Sequence, residues 1–231
     1  MAIGRRMLVE VLRSRDFETT PSLLKATYYS VERSTGHLLF RKRPPQTDGP
    51  KLLNLGCGPM KYAGWCNADD FAFKRWFREK HFRPDWRLDI TKPWRCGDDH
   101  WDGIFSQHVI EHLQYSLAVF VMEECFRTLK YGAWLRVCVP SLSKYIAFYT
   151  GREDSQEFAR FPSRALAISF MAQMHYHKSI WDEALITAVL REIGFSQVRV
   201  VQFGEGTDKA IIQDQAGKAW ESLYVEAQKP L

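Results

Sequence analysis

From Lys51 onward, short apolar segments typical of β-strands alternate with segments of helical periodicity. Seven strands are predicted, at 51–55, 65–69, 86–89, 102–106, 133–139, 196–203 and 223–227. Helices are predicted at 71–82, at 116–130 with Tyr131-Gly132 ending it, and at 182–193 between an Asp182 cap and Gly194. Strands that alternate with helices indicate an α/β fold, with a mainly parallel sheet and helices on both faces.

The chain divides into two regions by composition. Residues 1–50 combine helical spacing near Met7 and Val11 with a loop that contains Pro44, Pro45 and Pro50, and they are predicted to form an N-terminal helical extension and linker. Residues 51–231 are predicted to form the main domain. Within it, residues 141–180 are rich in aromatic side chains and are predicted to be an irregular insertion.

Composition excludes several classes of protein. The five cysteines include no Cys-x-x-Cys pair, which disfavours a disulfide framework or a cysteine zinc site and predicts reduced thiols in a cytoplasmic protein. No segment is long and apolar enough to predict a transmembrane helix. The net charge of +5 is a small excess that neither indicates nor excludes a nucleic-acid partner. The sequence does not indicate an oligomeric state.

Glycines and acids follow three successive predicted strands. Gly56 and Gly58 come directly after the first strand, where a backbone without side chains can approach a ligand closely. Asp69 ends the second strand, where an acid can accept hydrogen bonds from ribose hydroxyls. Asp89 ends the third, where a carboxylate can receive an exocyclic amine. Because ligands bind at the carboxyl ends of parallel strands, the three strands predict a nucleotide-like cofactor.

A dinucleotide is disfavoured as that cofactor. The Gly-x-Gly-x-x-Gly pattern needs a third glycine, and Lys61 occupies its place. Only residues 59–64 separate the turn from Trp65, so the first crossover helix is reduced to about a turn. A pyrophosphate needs a helix N-terminus, and a cofactor without phosphates therefore suits this site better.

Four segments together resemble the class I S-adenosylmethionine-dependent methyltransferases, and most closely the methyltransferase domain type 11 group. These segments are Leu53–Gly58, Gly64–Asp69, Leu88–Ile90 and Asp102–Leu113. The resemblance extends from about residue 51 to the C-terminus, and is unspecific over 141–180. It implies a Rossmann-like sheet of about seven strands, with the last one antiparallel, and S-adenosylmethionine as the cofactor.

The resemblance also implies roles for individual residues. Gly56 and Gly58 would contact the methionine part of the cofactor, Asp69 the ribose, and Asp89 the adenine amine. Ser106 and His108 would lie beside the sulfonium. Asp70 directly follows Asp69, so the sequence leaves open which of the two acids binds the ribose. The cofactor-binding residues predicted on this basis are Asn54, Gly56, Cys57, Gly58, Asp69, Asp70, Asp89, Ile90, Ser106 and His108.

A histidine is the best candidate for a general base, which methyl transfer needs only if the acceptor must lose a proton. His108, Glu111 and His112 are spaced so that they could share a helix face, with Glu111 orienting a catalytic His108. Alternatively, Glu111 and His112 cap and pack the following helix, which the resemblance favours. The sequence predicts no metal site, because the order differs from His-Glu-x-x-His and no third ligand is near.

His175 and His177 are the second pair of catalytic candidates. They are two residues apart, so a strand or extended loop would place them on one side. They follow the fifth strand, where folds of this class build the acceptor pocket, and this makes 141–180 an acceptor-side insertion. The alternative is an ordinary aromatic lid.

The acceptor is constrained by an absence in the sequence. No Asn-Pro-Pro-Tyr-like segment follows the fourth strand, and Ser106-Gln107-His108-Val109 occupies its place. This absence argues against methylation of a nucleobase amine and therefore disfavours a nucleic-acid partner. The prediction is a methyltransferase that acts on the oxygen or nitrogen of a small-molecule or glycan acceptor. The alternative is a catalytically inactive S-adenosylmethionine-binding module that acts as a partner protein.

Overall fold

The computed structural model describes residues 43–47, 49–70 and 83–231. The predicted helix at 71–82 and most of the predicted N-terminal extension lie outside these ranges. No described helix has both the length and the apolar character needed to cross a membrane. All five cysteines are buried and free of disulfide bonds.

The described chain contains one sheet of seven strands in the order β3-β2-β1-β4-β5-β7-β6. The strands are β1 (Leu52–Leu55), β2 (Cys66–Asp69), β3 (Trp86–Arg87), β4 (Trp101–Gln107), β5 (Leu129–Pro140), β6 (Ser196–Val201) and β7 (Ser222–Gln228). Strands β1 to β5 pair in parallel, and β7 is antiparallel to both β5 and β6. The predicted α/β class and the antiparallel last strand are confirmed.

The described helices are α1 (Tyr115–Thr128), α2 (Leu142–Tyr149), α3 (Gln156–Ala159), α4 (Arg164–Gln173) and α5 (Glu183–Ile193). Both predicted caps of α5 are confirmed: Asp182 accepts a hydrogen bond from the Leu185 amide at 2.8 Å, and Gly194 has a φ of 115°. Helices α1 and α5 both contribute apolar side chains to the main core, among them Val121 and Cys125 of α1. The same core contains the fully buried Trp101.

Two predicted elements are wrong in their bounds or type. Helix α1 ends at Thr128, and Gly132 lies inside β5, where the pairing with β4 shifts register and φ is 78°. Residues 141–180 form three α-helices instead of an irregular insertion. Ser141 caps α2 and Ser163 caps α4, and the two helices enclose a small aromatic core around Tyr145 and other apolar residues.

A buried ion pair joins β5 to the segment between β6 and β7 and holds that segment against the sheet. The Arg136 guanidinium on β5 donates to both carboxylate oxygens of Asp214, at 2.7 and 2.5 Å, and each side chain is 1% exposed. Arg136 also donates to the Glu205 carbonyl at 2.8 Å. A buried pair of this kind is sensitive to the loss of one partner, because the remaining charge is left without compensation.

We expect the substitution Asp214→Asn to lower the free energy of unfolding by about 3 kcal/mol, since Arg136 would remain buried without a counter-charge. Glu205→Gln is the matched control, because that side chain is exposed on the same segment and should change stability by less than about 0.5 kcal/mol. Urea denaturation measures both. Equal midpoints for the two variants would contradict the role assigned to Asp214.

Candidate functional site

A cleft of about 740 Å³ opens at the carboxyl ends of β1, β2 and β4. The strand order reverses between β1 and β4, and ligands of open α/β sheets bind at such reversals. Seven of the predicted site residues line this cleft: Gly56, Gly58, Asp69, Asp70, Asp89, Ile90 and His108. The structure therefore brings together groups that are up to 52 positions apart in the chain.

The glycine turn is held by hydrogen bonds to the end of β2. The amides of Gly56 and Cys57 both donate to the carbonyl of Ala68, at 2.9 and 3.0 Å. The Gly58 amide donates to a carboxylate oxygen of Asp69 at 2.9 Å. Gly56 and Gly58 have φ values of 68° and 51°, in the region that glycine adopts without a steric penalty. The connection from β1 to β2 contains turns and no helix.

Three carboxylates face the cleft from neighbouring strands. Asp69 ends β2, and Asp70 forms an ion pair with Arg87 at 3.3 Å. Asp89 lies two residues beyond the end of β3 and accepts from the Thr91 hydroxyl at 2.6 Å and from Lys92 at 3.0 Å. Burial opposes ionisation of Asp89, but these donors outweigh it and lower its pKa. Asp89 is therefore ionised at neutral pH and can accept from a ligand amine.

Three predicted cofactor residues do not line the cleft. The Asn54 side-chain amide donates to the Met60 carbonyl at 2.8 Å and to the Asn67 side-chain oxygen at 3.0 Å. These two hydrogen bonds stabilise the turn that follows β1. Cys57 is 5% exposed, and burial raises the pKa of its thiol to about 12. Ser106 is 2% exposed, and its hydroxyl has no hydrogen-bond partner among the described residues.

His108 and Glu111 are adjacent in space, as the sequence predicted, although no α-helix connects them. His108 has a φ of 54°, and a single turn of 3₁₀ helix over Ile110–His112 follows. His108 Nδ1 lies 3.1 Å from Glu111 Oε1, and His108 Nε2 lies 2.9 Å from the Ser222 hydroxyl. Burial alone would raise the pKa of Glu111, but the neighbouring His108 and His112 outweigh burial and lower this pKa overall.

The alternative capping role for Glu111 and His112 is wrong. Helix α1 begins after Gln114, and no side chain of the described residues caps it. Glu111 is 1% exposed and faces the histidines, and His112 lines the cleft.

The structure places His175 and His177 in different surroundings. His175 and Tyr176 have φ values of 57° and 63° in a tight turn after α4, so the two histidines do not share one side of an extended segment. His175 is exposed, and it does not line the cleft. His177 turns inward, and its ring centroid lies 4.9 Å from that of His112. Burial lowers the pKa of both His112 and His177.

Comparison with known proteins identifies the fold. No protein-family model and no curated protein matches the sequence. A solved S-adenosylmethionine-dependent methyltransferase from Archaeoglobus fulgidus is 17% identical, with a TM-score of 0.51 over 97% of this chain and 99% of that chain. A possible exported protein from Bordetella parapertussis is 15% identical, with a TM-score of 0.53 over 91% of this chain and 70% of that chain.

The chain has the class I methyltransferase fold. The recognition of this fold from the sequence is confirmed, whereas the finer resemblance to the type 11 group stays a prediction. In this methyltransferase fold the cleft lies at the strand-order reversal, where the predicted cofactor residues gather.

Sequence reasoning missed several residues that line the cleft of this methyltransferase fold. Thr91 had a readable signal, because Asp89-Ile90-Thr91 forms an Asx turn in which the Thr91 amide donates to Asp89 at 3.1 Å. Lys178 had none, because it reaches the cleft only through the 2.7 Å hydrogen bond from its amide to the Glu111 carbonyl. That contact joins residues 67 positions apart, which no local pattern can show.

We expect Gly56→Ala to destabilise the cofactor-free protein by about 1–3 kcal/mol more than Gly58→Ala. Both positions have positive φ, but a Cβ at position 56 would lie 2.3 Å from Val109 Cγ2, whereas a Cβ at position 58 meets no atom of the described residues within 4 Å. Urea denaturation measures the difference. Adding Val109→Ala to Gly56→Ala should recover part of the loss, and equal stabilities of the two single variants would refute the close approach.

Proposed function

We propose that this chain transfers a methyl group from S-adenosylmethionine to the oxygen or nitrogen of a small-molecule or glycan acceptor. The observation that carries the proposal is the cleft at the carboxyl ends of β1, β2 and β4, which is lined by two glycines and three carboxylates. The solved Archaeoglobus fulgidus protein with this fold is an S-adenosylmethionine-dependent methyltransferase, which supports the same assignment here.

The residues of the cleft suit this cofactor chemically. Asp69 offers carboxylate oxygens to ribose hydroxyls, and the ionised Asp89 offers an acceptor to the adenine amine. Gly56 and Gly58 line the cleft without side chains, so their backbone can approach the methionine part of the cofactor closely. The turn between β1 and β2 contains no helix, so it lacks the N-terminal dipole that a pyrophosphate requires.

The chemistry proposed for the cleft is an in-line displacement, in which the acceptor oxygen or nitrogen would bond to the methyl carbon while the carbon–sulfur bond breaks and the sulfur leaves as a neutral thioether. S-Adenosylmethionine, when bound, supplies an electrophilic methyl group on a sulfonium. The groups of the cleft would hold the two reactants in line, which removes the entropic cost of bringing them together. His108 lines the cleft, and we assign it the role of taking a proton from the acceptor, with Glu111 orienting its ring through Nδ1 at 3.1 Å.

Cofactor binding gives the first test. We expect Asp69→Asn to weaken S-adenosylmethionine binding about tenfold or more, because a charged acceptor for the ribose is lost, while its remaining amide oxygen can still accept from Gly58. Asp70→Asn is the matched control, since Asp70 already pairs with Arg87, and it should change affinity less than about threefold. Calorimetric titration measures both.

The reverse order of the two effects would move the ribose acid to Asp70. An absence of binding by the unaltered chain at millimolar cofactor would refute the proposed function as a whole.

Methyl transfer gives the second test. Cell extract incubated with the protein and cofactor carrying a labelled methyl group should yield a labelled small molecule, identified by mass spectrometry. At saturating cofactor, we expect His108→Ala to slow label transfer by about 10²–10⁴-fold, the usual contribution of a general base. His175→Ala is the control, because His175 is exposed outside the cleft. Cofactor binding with no label transfer by the unaltered chain would favour the inactive binding module.

A further inference from the structure

Glu111, His112 and His177 form a cluster that the proposed methyl transfer does not use as a unit. Each offers one ligand atom, and the three atoms lie within 4.8 Å of one another. The donors are one carboxylate and two imidazoles, which is a set that binds transition-metal ions. His177 is the third ligand that the sequence could not place, since it lies 65 positions after His112.

Backbone hydrogen bonds hold the two halves of the cluster together. The carbonyl of Glu111 accepts from the amides of Lys178 and Ser179, at 2.7 and 3.1 Å. The Ser179 hydroxyl also donates to the Ile110 carbonyl at 3.2 Å. Three hydrogen bonds therefore fix the segment that carries His177 against the turn that carries Glu111 and His112, and the cluster does not depend on mobile side chains alone.

The His177 ring is oriented as it is in many metal sites. His177 Nδ1 lies 2.6 Å from the Met171 carbonyl, so this nitrogen donates and Nε2 is left with its lone pair. Metal-binding histidines almost always donate their second ring N–H to a carbonyl or carboxylate in this way. The Nε2 atom of His112 faces the same carboxylate, 4.0 Å from Glu111 Oε1.

The carboxylate of Glu111 is buried, and the neighbouring histidines are the groups that compensate its charge. Its side chain is 2% exposed, and neither oxygen accepts a hydrogen bond of good geometry within the described part of the chain. His108 Nδ1 lies 3.1 Å from Glu111 Oε1. A buried carboxylate is stabilised by pairing or by metal coordination, so a cation beside Glu111 would add to the compensation that the histidines give.

We propose that Glu111, His112 and His177 bind one divalent transition-metal ion, for which Zn²⁺ is the best match to two imidazoles and one carboxylate. Tetrahedral bonds of about 2.0–2.1 Å place donor atoms roughly 3.3 Å apart, whereas the three atoms here lie within 4.8 Å of one another, so they must close by up to about 1.5 Å. Both histidine side chains are half-buried, so neither is fully enclosed by its neighbours. His112 lines the cleft, so the ion would lie in the wall of the cleft with its fourth position open.

Such an ion would also have a role in the reaction, and this part alone rests on the proposed function. Its open position would receive an oxygen atom of the acceptor and hold it at the edge of the cleft, which favours an acceptor with a hydroxyl or carboxylate near the methylated atom. Metal binding itself requires neither cofactor nor acceptor and can be measured without them.

The test uses the full chain, freed of any histidine tag and stripped of metal with a chelator. Titration with Co²⁺, followed by visible absorption, should show one tetrahedral site per chain, and calorimetry with Zn²⁺ should give the same stoichiometry. We expect His177→Ala to weaken Zn²⁺ binding about tenfold or more, as loss of metal-site partners usually does. His175→Ala is the matched control, because it removes an exposed histidine two positions away and should leave affinity unchanged.

A second variant guards against misfolding as an explanation. Glu111→Gln keeps the size of the buried side chain but removes its charge, and it should also weaken Zn²⁺ binding about tenfold or more with an unchanged circular dichroism spectrum. Equal Zn²⁺ affinities of His175→Ala and His177→Ala, or no Co²⁺ spectrum from the unaltered chain, would overturn the proposed site. S-Adenosylmethionine binding by the metal-free protein is measured separately, so failure of the metal site and failure of the proposed function are distinguishable.

Discussion

The parallel pairing of β1 with β2 on one edge and with β4 on the other determines where the glycine turn, Asp69 and His108 of the cleft lie. Parallel strands end at the same edge of the sheet, so the turn after β1, the acid after β2 and the histidine after β4 must meet there. The Ala68 carbonyl strengthens this arrangement, because it accepts from both Gly56 and Cys57 and ties the first turn to the second strand. The other contacts of the cleft, including the close approach of Gly56 to Val109, depend on that register.

A second constraint is the burial of Glu111. A carboxylate removed from water is tolerated only beside compensating groups, and three histidines from two distant segments surround this one: His108, His112 and His177. The same contact links the proposed methyl transfer to the proposed metal site. Glu111 orients His108 on one side and contributes a ligand on the other, so occupation of the metal site would change the surroundings of the proposed base.

The sequence predicted most strands within one to three residues, because buried parallel strands appear as short apolar runs that need no knowledge of their neighbours. Both ends of helix α5 were predicted correctly, because its caps Asp182 and Gly194 are local sequence signals. The end of α1 was predicted wrongly, because Gly132 resembles a helix terminator and instead occupies an irregular position of β5. The helices of 141–180 were missed although Ser141 and Ser163 carry ordinary capping signals, because the many aromatic side chains obscured the helical period.

The sequence by itself determined the fold class and the glycines and acids at the cleft, because glycines and acids that follow strands are local features with a fixed consequence in a parallel sheet. Only the tertiary structure decided which histidines meet. His175 and His177 are equivalent in spacing, yet two positive φ angles turn His175 outward and bring His177 to His112. The Glu111 carbonyl then fixes that contact through hydrogen bonds to residues 67 and 68 positions away. Contacts of that range are formed by packing of the whole domain, and no local pattern in the sequence specifies them.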